Sequence, residues 1–337
     1  FNQIVIVNSD IIGGSSSAPI SGFSSYSATL SGFMRSGLVK DTFVISNVSG
    51  KDIVGGMIGF AQGVQIANSF SSSEVTGEGT AGGLIGRGID ETTCENSASV
   101  GNVTGGSTVG GLAGMLYGGK VIDSYSKGDV TGNNYAGGLI GAHYSEDSQI
   151  LDSYSIGNVT GDDTVGGLVG GHFGNKIANS YSKGNITGKV YVGGLVGQMF
   201  NSNGEISNSY SEGTVTSEQN AGGLIANFFS LKVIDSYFKG DVTGNDYAGG
   251  LIANAYNNAT SIENTYSIGN VTAGKVAGGL IGSNYEAAIS KSHSIGNVTG
   301  GNVTGDGIAG GLVGRNYGKE PITDSYFEGD VTGKEQV

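Results

Sequence analysis

Residues 125–141 read YSKGDVTGNNYAGGLIG, and variants of this stretch recur along most of the chain. The spacing between successive Gly-Gly-Leu or Gly-Gly-Met triplets is 27 to 29 residues, except for a last step of 32. A period of this size is typical of one supersecondary unit stacked on copies of itself. We therefore interpret the chain as a repeat protein, in which the third triplet position is Met57, Leu84, Leu112, Leu139, Leu168, Leu195, Leu224, Leu251, Leu280 and Leu312.

Aligning the repeats produces three apolar columns, represented by Ile150, Val159 and Leu168. Each column lies in a short run of aliphatic residues bounded by Gly, Asn, Asp or Ser, which is typical of strands and turns. No apolar period of 3.6 residues is present, so a helical repeat is not expected. The sequence predicts an all-β fold, a parallel β-solenoid (β-helix) of about ten coils with 27–29 residues and three short strands each. All three columns should point inward.

The two ends of the sequence differ from the middle. Residues 1–50 match the repeat loosely and are predicted to form a degenerate first coil or an N-terminal cap, and residues 51–337 form the regular repeats. The last Val-Thr-Gly is followed by four residues, where the next Gly-Gly-Leu would be due. We interpret the chain as a fragment of a longer protein.

The composition restricts the classes of partner. The 337 residues carry a net charge of −13, with 16 Lys and Arg scattered along the chain, so neither nucleic acid nor membrane insertion is expected. The single Cys94 replaces an aliphatic residue in an inward column and is interpreted as a small buried hydrophobe. No disulfide framework is present.

No catalytic or cofactor motif is found. The chain lacks a His-Glu-x-x-His pair, a phosphate-binding loop and a nucleophile elbow. His143 and His172 share a column in adjacent repeats and could bind a metal, but no column of Asp or Glu supplies a third ligand. A polysaccharide lyase would need carboxylates clustered with a basic residue on one face, and the sequence indicates no such cluster. We predict no enzyme activity, no cofactor and no metal.

Outward-facing columns are the candidate ligand surfaces. If the Val of each Asn/Asp-Val-Thr triplet points inward, the Thr beside it points outward. Such an array is similar to an ice-binding face, and the two aromatic columns could bind sugars or could be structural ladders. A column of Asn and Asp before the Tyr strand is interpreted as a corner of Asx turns rather than a cation site. The predicted ligand face consists of Thr104, Thr131, Thr160, Thr187, Thr216, Thr243, Thr272, Thr299, Asn302 and Thr304.

The core Gly-Gly-Leu-Ile/Val-Gly, as at 137–141, 166–170, 193–197 and 310–314, resembles the GLUG motif. Met57, Ala113, Ala226 and Ala253 depart from the pattern modestly. The resemblance implies a segment of a large bacterial surface protein, such as an adhesin or a non-catalytic part of an immunoglobulin A peptidase. It also implies an extracellular or cell-surface location, but no binding residues.

We therefore predict a non-catalytic extracellular stalk or adhesive segment, with an ice-binding or carbohydrate-binding solenoid as the alternative. The expected partner is a surface ligand, which could be a glycan, a protein or another cell-surface chain. Copies of the chain could also associate with one another end to end or side by side. A plain stalk predicts uniform faces, whereas an adhesin predicts a local break in regularity. The largest break in the sequence is the insertion at 301–305, which includes Asn302 and Thr304.

Overall fold

The computed structural model describes residues 4–12, 26–200, 204–229, 231–256, 260–301 and 307–334. These residues form β-strands and turns, with no helix among them. They divide into two compact units. Unit 1 comprises residues 1–161 and 168–174, and unit 2 comprises residues 162–167 and 175–337.

The strands are numbered in chain order. Strands β1 to β23 are Ile4–Ile12, Tyr26–Ser27, Ser31–Ile45, Val48–Gly50, Ile53–Gly55, Ile58–Ala67, Phe70–Ser72, Val75–Gly77, Thr80–Gly82, Ile85–Ile89, Thr93–Glu95, Ala98–Val100, Val103–Thr104, Thr108–Gly110, Ala113–Tyr117, Lys120–Ile122, Tyr125–Lys127, Val130–Thr131, Tyr135–Gly137, Ile140–Tyr144, Gln149–Leu151, Tyr154–Ile156 and Val159–Thr160. Strand β24 is Thr164–Gly166 in unit 2, and β25 is Val169–His172 in unit 1.

The remaining strands all belong to unit 2. Strands β26 to β53 are Lys176–Ala178, Tyr181–Lys183, Ile186–Gly188, Tyr191–Gly193, Val196–Met199, Gly204–Ser207, Tyr210–Glu212, Val215–Ser217, Asn220–Gly222, Ile225–Phe229, Leu231–Ile234, Tyr237–Lys239, Val242–Gly244, Tyr247–Gly249, Ile252–Tyr256, Ser261–Glu263, Tyr266–Ile268, Val271–Ala273, Val276–Gly278, Ile281–Asn284, Ala288–Ser290, His293–Ile295, Val298–Gly300, Ile308–Gly310, Val313–Asn316, Ile322–Thr323, Tyr326–Glu328 and Val331–Thr332.

Within each unit, strands pair in parallel with their copies one coil further along the chain. In unit 1, Val121 pairs with Ile150, and Val130 pairs with Val159. In unit 2, Val215 pairs with Val242 in the same way. Because the register equals the sequence period, every column of the alignment is a column of neighbouring residues. The fold is the parallel β-solenoid of about ten coils that the sequence predicts.

The number of strands per coil differs from the prediction. A typical coil has five short strands, such as β16 to β20, which are distributed over three sheets. The prediction counted strands by their aliphatic inward residues. It missed strands whose inward residue is small, such as β17 with Ser126 and β19 with Ala136, both of which are buried.

The three apolar columns form the core, as predicted. Ile150, Val159 and Leu168 are each fully buried. Successive Leu residues are linked by backbone hydrogen bonds, for example from the Leu139 amide to the Leu168 carbonyl at 2.8 Å. The Gly-Gly pairs allow the backbone to pass close to the next coil, because a Cβ atom on Gly111 would overlap the carbonyl oxygen of Gly138 in that coil.

Candidate functional site

The predicted Thr column lies on the outer surface. Thr104, Thr131 and Thr160 are exposed and adjacent in unit 1. In unit 2, Thr187, Thr216 and Thr243 are exposed, and Thr272 and Thr299 are partly exposed. Asn302 and Thr304 lie outside the described residues. The Thr column stays a predicted ligand face.

The Asn/Asp column two residues before each Thr has a structural role. The side-chain oxygen of Asn102 accepts a hydrogen bond from the Asp129 amide at 2.8 Å, and Asp129 does the same for Asn158 at 2.8 Å. In unit 2, the Asp241 carboxylate accepts from the Asn270 amide at 2.8 Å. These oxygens satisfy backbone donors at a turn. They are therefore less available to a ligand than the neighbouring Thr hydroxyls.

A second Asn/Asp column forms a left-handed corner. Asn96, Asp123 and Asp152 have φ angles of 45°, 48° and 50°. Asn and Asp tolerate this conformation better than other non-glycine residues. The Asn96 side-chain amide donates to the Asn68 side-chain oxygen at 2.9 Å. The corner geometry accounts for the choice of Asn and Asp without invoking a cation.

Both aromatic columns are ladders on the outer surface. In one column Tyr125 and Tyr154 stack with ring centroids 4.9 Å apart and an interplanar angle of 3°. In the other, Tyr117 and Tyr144 stack at 4.7 Å and 18°. Stacking turns each ring face toward the neighbouring ring, so a ladder exposes ring edges rather than ring faces. Sugars pack against faces, so the interior of each ladder favours the structural interpretation.

Three titratable side chains are buried in the core of unit 1. His143 and His172 are fully buried, with ring centroids 5.3 Å apart, and none of their ring nitrogens has a hydrogen-bond partner among the described residues. Burial lowers the pKa of His143 to about 4, and burial together with the neighbouring His143 holds the pKa of His172 well below its usual range. Burial also raises the pKa of the Cys94 thiol to about 12, which fits a small buried hydrophobe.

A cleft of about 450 Å³, which we call the Arg87 cleft, opens on the surface of unit 1. Strand β10 contributes Arg87, and the turn after it contributes the carboxylates of Asp90 and Glu91. The next coil contributes Tyr117, and the coil after that contributes Ser145. A smaller cleft of about 170 Å³ continues along the same edge to Lys120 and Asp147. The Arg87 cleft is lined by Arg87, Ile89, Asp90, Glu91, Tyr117, Gly118 and Ser145.

The guanidinium group of Arg87 is held between two aromatic rings. Its Cζ atom lies 5.7 Å from the Phe60 ring centroid and 5.4 Å from the Tyr117 ring centroid. Its Nε atom is buried and lacks a hydrogen-bond partner among the described residues. Cation–π contacts of this length position the charge without neutralising it. Arg87 is therefore an oriented cation whose Nε–H donor has no partner among the described residues.

The backbone around the cleft is strained. Asp90 and Glu91 are consecutive residues with φ angles of 53° and 56°, and Ser145 has a φ angle of 105°. Outside the left-handed corner, Ser36 is the remaining non-glycine residue with positive φ among those the structure describes. Asp tolerates this conformation, whereas those of Glu91 and Ser145 cost about 1–3 kcal/mol each, and such strain clusters at functional sites. The strain marks this edge as the irregular part of an otherwise regular lattice.

The cleft corrects the expectation that carboxylates and basic residues do not cluster. Asp90, Glu91 and Asp147 share one edge with Arg87 and Lys120. These residues come from three coils, so residues about one repeat apart in sequence become neighbours. The sequence carried one signal of this cluster. The segment between each Gly-Gly-Leu-x-Gly and the next aliphatic column varies in length, and Gly118 and Ser145 both lie in that segment.

Two classes of feature are absent from the described part of the chain. No group of three or more His, Cys, Asp and Glu residues there could hold a metal ion. Within the same residues, no helix has the length and apolar character needed to cross a membrane.

Comparison with known families identifies the repeat. Residues 105–131, 161–187 and 188–216 match the model of the GLUG motif. Three coils carry GLUG motifs. In the coil at 105–131, the matched residues include the close-packed Gly110 and Gly111, the buried Leu112 and the inward Val130. The motif therefore describes the core of the solenoid and leaves its outer surface unspecified.

The chain as a whole is similar to a solved structure at low sequence identity. No curated protein matches it in sequence. Among solved structures, it is similar to a protein from Bacteroides ovatus that is named a "putative immunoglobulin A1 protease". The two share 12% sequence identity and a TM-score of 0.37, and the match covers 86% of this chain and 84% of that chain.

Proposed function

We propose that this GLUG chain is a non-catalytic segment of a large extracellular surface protein, and that it combines a stalk with an adhesive site. The observation that carries the proposal is the Arg87 cleft, a local break in a lattice whose other columns repeat from coil to coil. A plain stalk needs no such break. The cleft also retains a strained backbone, which costs stability and is therefore expected where it serves binding.

The exposure of the cleft carboxylates supports binding rather than catalysis. Asp90, Glu91 and Asp147 are all exposed to solvent. General acids and bases are usually tuned by burial or by a close charged partner. Exposed carboxylates instead act as hydrogen-bond acceptors for a ligand. We therefore propose a binding site in which no bond of the ligand is broken.

Attachment of the whole chain to surfaces tests the adhesive role. Beads coated with the folded chain should bind to glycan-bearing cell surfaces, and beads coated with heat-unfolded chain should not. Tyr117→Ala, in the cleft, should reduce attachment at least tenfold. The matched control is Tyr317→Ala, because Tyr317 is also an exposed ladder residue, at 55% exposure, but lies in unit 2.

Two results would contradict this proposal. One is attachment no stronger than that of the unfolded chain. The other is turnover of a polysaccharide or peptide substrate that Glu91→Gln or Asp147→Asn abolishes, since that would make the cleft an active site. Equal loss of attachment in Tyr117→Ala and Tyr317→Ala would move the adhesive site from the cleft to the aromatic ladders.

A further inference from the structure

We propose that the Arg87 cleft binds a carboxylated sugar, such as a uronic acid or a nine-carbon acidic sugar at the end of a glycan. This inference rests on the proposed adhesive function and names its ligand class. The cleft volume of about 450 Å³ lies within the range of roughly 300–1,000 Å³ that is usual for small-molecule sites. It brings together one cation, one aromatic wall and two carboxylates.

Arg87 supplies the group that recognises the carboxylate. The described residues give it no ion pair, whereas five lysines in unit 2 form ion pairs with carboxylates of 2.6 to 3.3 Å. A guanidinium group binds a carboxylate through two parallel hydrogen bonds. Because Phe60 and Tyr117 already hold the side chain in place, little rotamer entropy is lost when the ligand binds.

Tyr117 supplies the apolar contact with the sugar ring. Its ladder begins there, because Gly88 pairs with Leu116 and the equivalent position one coil earlier is Ile89. Tyr144 stacks on one side of Tyr117 at 4.7 Å, and the side chain of Tyr117 remains 42% exposed. Because Arg87 lies over the other face, Tyr117 offers its exposed ring edge to the C–H groups of a sugar.

Asp90 and Glu91 supply acceptors for sugar hydroxyls. The Asp90 carboxylate accepts a hydrogen bond from the Gln62 amide at 2.7 Å, which orients it, and Glu91 is exposed at the rim. The two carboxylates repel a polyanion such as a phosphate more strongly than they repel an anion with a single charge. They still allow a ligand that combines a single carboxylate with several hydroxyls, which is the composition of an acidic sugar.

Binding of defined saccharides to the folded chain tests this inference. Calorimetry should detect binding of glucuronate-terminated and N-acetylneuraminate-terminated oligosaccharides to the chain. Neutral oligosaccharides with the same linkage should bind at least tenfold more weakly. Arg87→Gln should weaken binding of the acidic probes at least tenfold. Arg87→Lys should retain part of it, since the charge remains but the paired donors are lost.

Arg315→Gln is the matched control. Arg315 lies 5.8 Å from the Tyr317 ring centroid in unit 2, so it repeats the Arg–Tyr contact outside the cleft. This variant should bind acidic probes as the parent does, and all variants should retain the parent's circular dichroism and thermal midpoint. Acetate at the same concentration separates recognition of a sugar from recognition of a carboxylate alone.

Three outcomes would overturn the inference: equal affinity for acidic and neutral probes, unchanged binding in Arg87→Gln, or binding of acetate as tight as that of the saccharides. If coated beads still attach to cells while every acidic saccharide fails to bind, the ligand class is wrong and the adhesive function stands. If the beads also fail to attach, the proposed function is wrong.

Discussion

The imidazole rings of His143 and His172 lie 5.3 Å apart on adjacent coils, fully buried and without hydrogen-bond partners among the described residues. The pair occupies an inward column in which Leu116, one coil earlier, is also fully buried. The two residues therefore pack as neutral hydrophobes. Protonating either one would place a charge in the core of unit 1.

The first prediction is that acid destabilises unit 1 through this pair. Burial lowers the pKa of His143 from 6.5 to about 4. Between these values the unfolded state binds more protons, so the free energy of unfolding falls as the pH falls through this window. At about 1.4 kcal/mol per pKa unit, His143 alone accounts for roughly 3 kcal/mol at pH 4. Denaturant unfolding between pH 7 and pH 4 measures the effect.

A double variant isolates the contribution of the pair. His143→Leu with His172→Leu should flatten the dependence between pH 6.5 and pH 4. His293→Tyr should leave the dependence nearly unchanged, because His293 stacks on a surface ladder, where Tyr residues occupy most other coils. Parallel pH profiles for the parent and the double variant would show that the buried pair does not control acid stability.

The second prediction concerns the Leu column. Leu195 is fully buried, and its amide donates to the Leu224 carbonyl at 2.9 Å. Replacing a buried Leu with Ala costs about 2–5 kcal/mol, and Leu195→Asp adds an unpaired charge. We expect the thermal midpoint to fall sharply, or unit 2 to unfold. Thr216→Asp, on the exposed column of the same unit, should change stability by less than about 0.5 kcal/mol. Comparable loss in both variants would place Leu195 outside the core.

The third prediction compares two glycines of one coil. A Cβ atom on Gly111 would overlap the Ser126 hydroxyl and the carbonyl of Gly138, whereas one on Gly114 would lie 2.6 Å from the Gly86 carbonyl. Other coils already carry Ala226 and Ala253 at the position of Gly114. Gly111→Ala should therefore cost about 1–3 kcal/mol, and Gly114→Ala should cost less. Chemical denaturation measures both, and equal or reversed costs would contradict the role assigned to the Gly-Gly pair.

The fourth prediction concerns the Asn/Asp column beside the Thr face. Asp129→Ala removes the carboxylate oxygen that accepts a hydrogen bond from the Asn158 backbone amide. This loss should lower the free energy of unfolding by about 0.5–1.5 kcal/mol. Asp129→Asn keeps that oxygen and should be nearly neutral. Thermal unfolding of the two variants checks this. If both lose the same stability, the charge at this position matters more than the hydrogen bond.

The sequence alone determined the period, the inward columns and the parallel register. In a solenoid each residue pairs with its copy in the next coil, so a column of the alignment is also a column of contacts. Ile150, Val159 and Leu168 could therefore be placed in the core without a structure. Strands with small inward residues, such as Ser126 and Ala136, were missed because burial of a small residue leaves no aliphatic pattern.

Only the tertiary structure decided where the regularity fails. The Arg87 cleft combines Arg87 and Glu91 from one coil with Tyr117, the first member of an aromatic ladder, from the next coil and Ser145 from the one after. Their proximity follows from stacking and from the unequal lengths of neighbouring arcs. Glu91 and Ser145 also have positive φ angles at this edge. A repeat specifies contacts between equivalent positions, whereas a binding site is built from positions that are not equivalent.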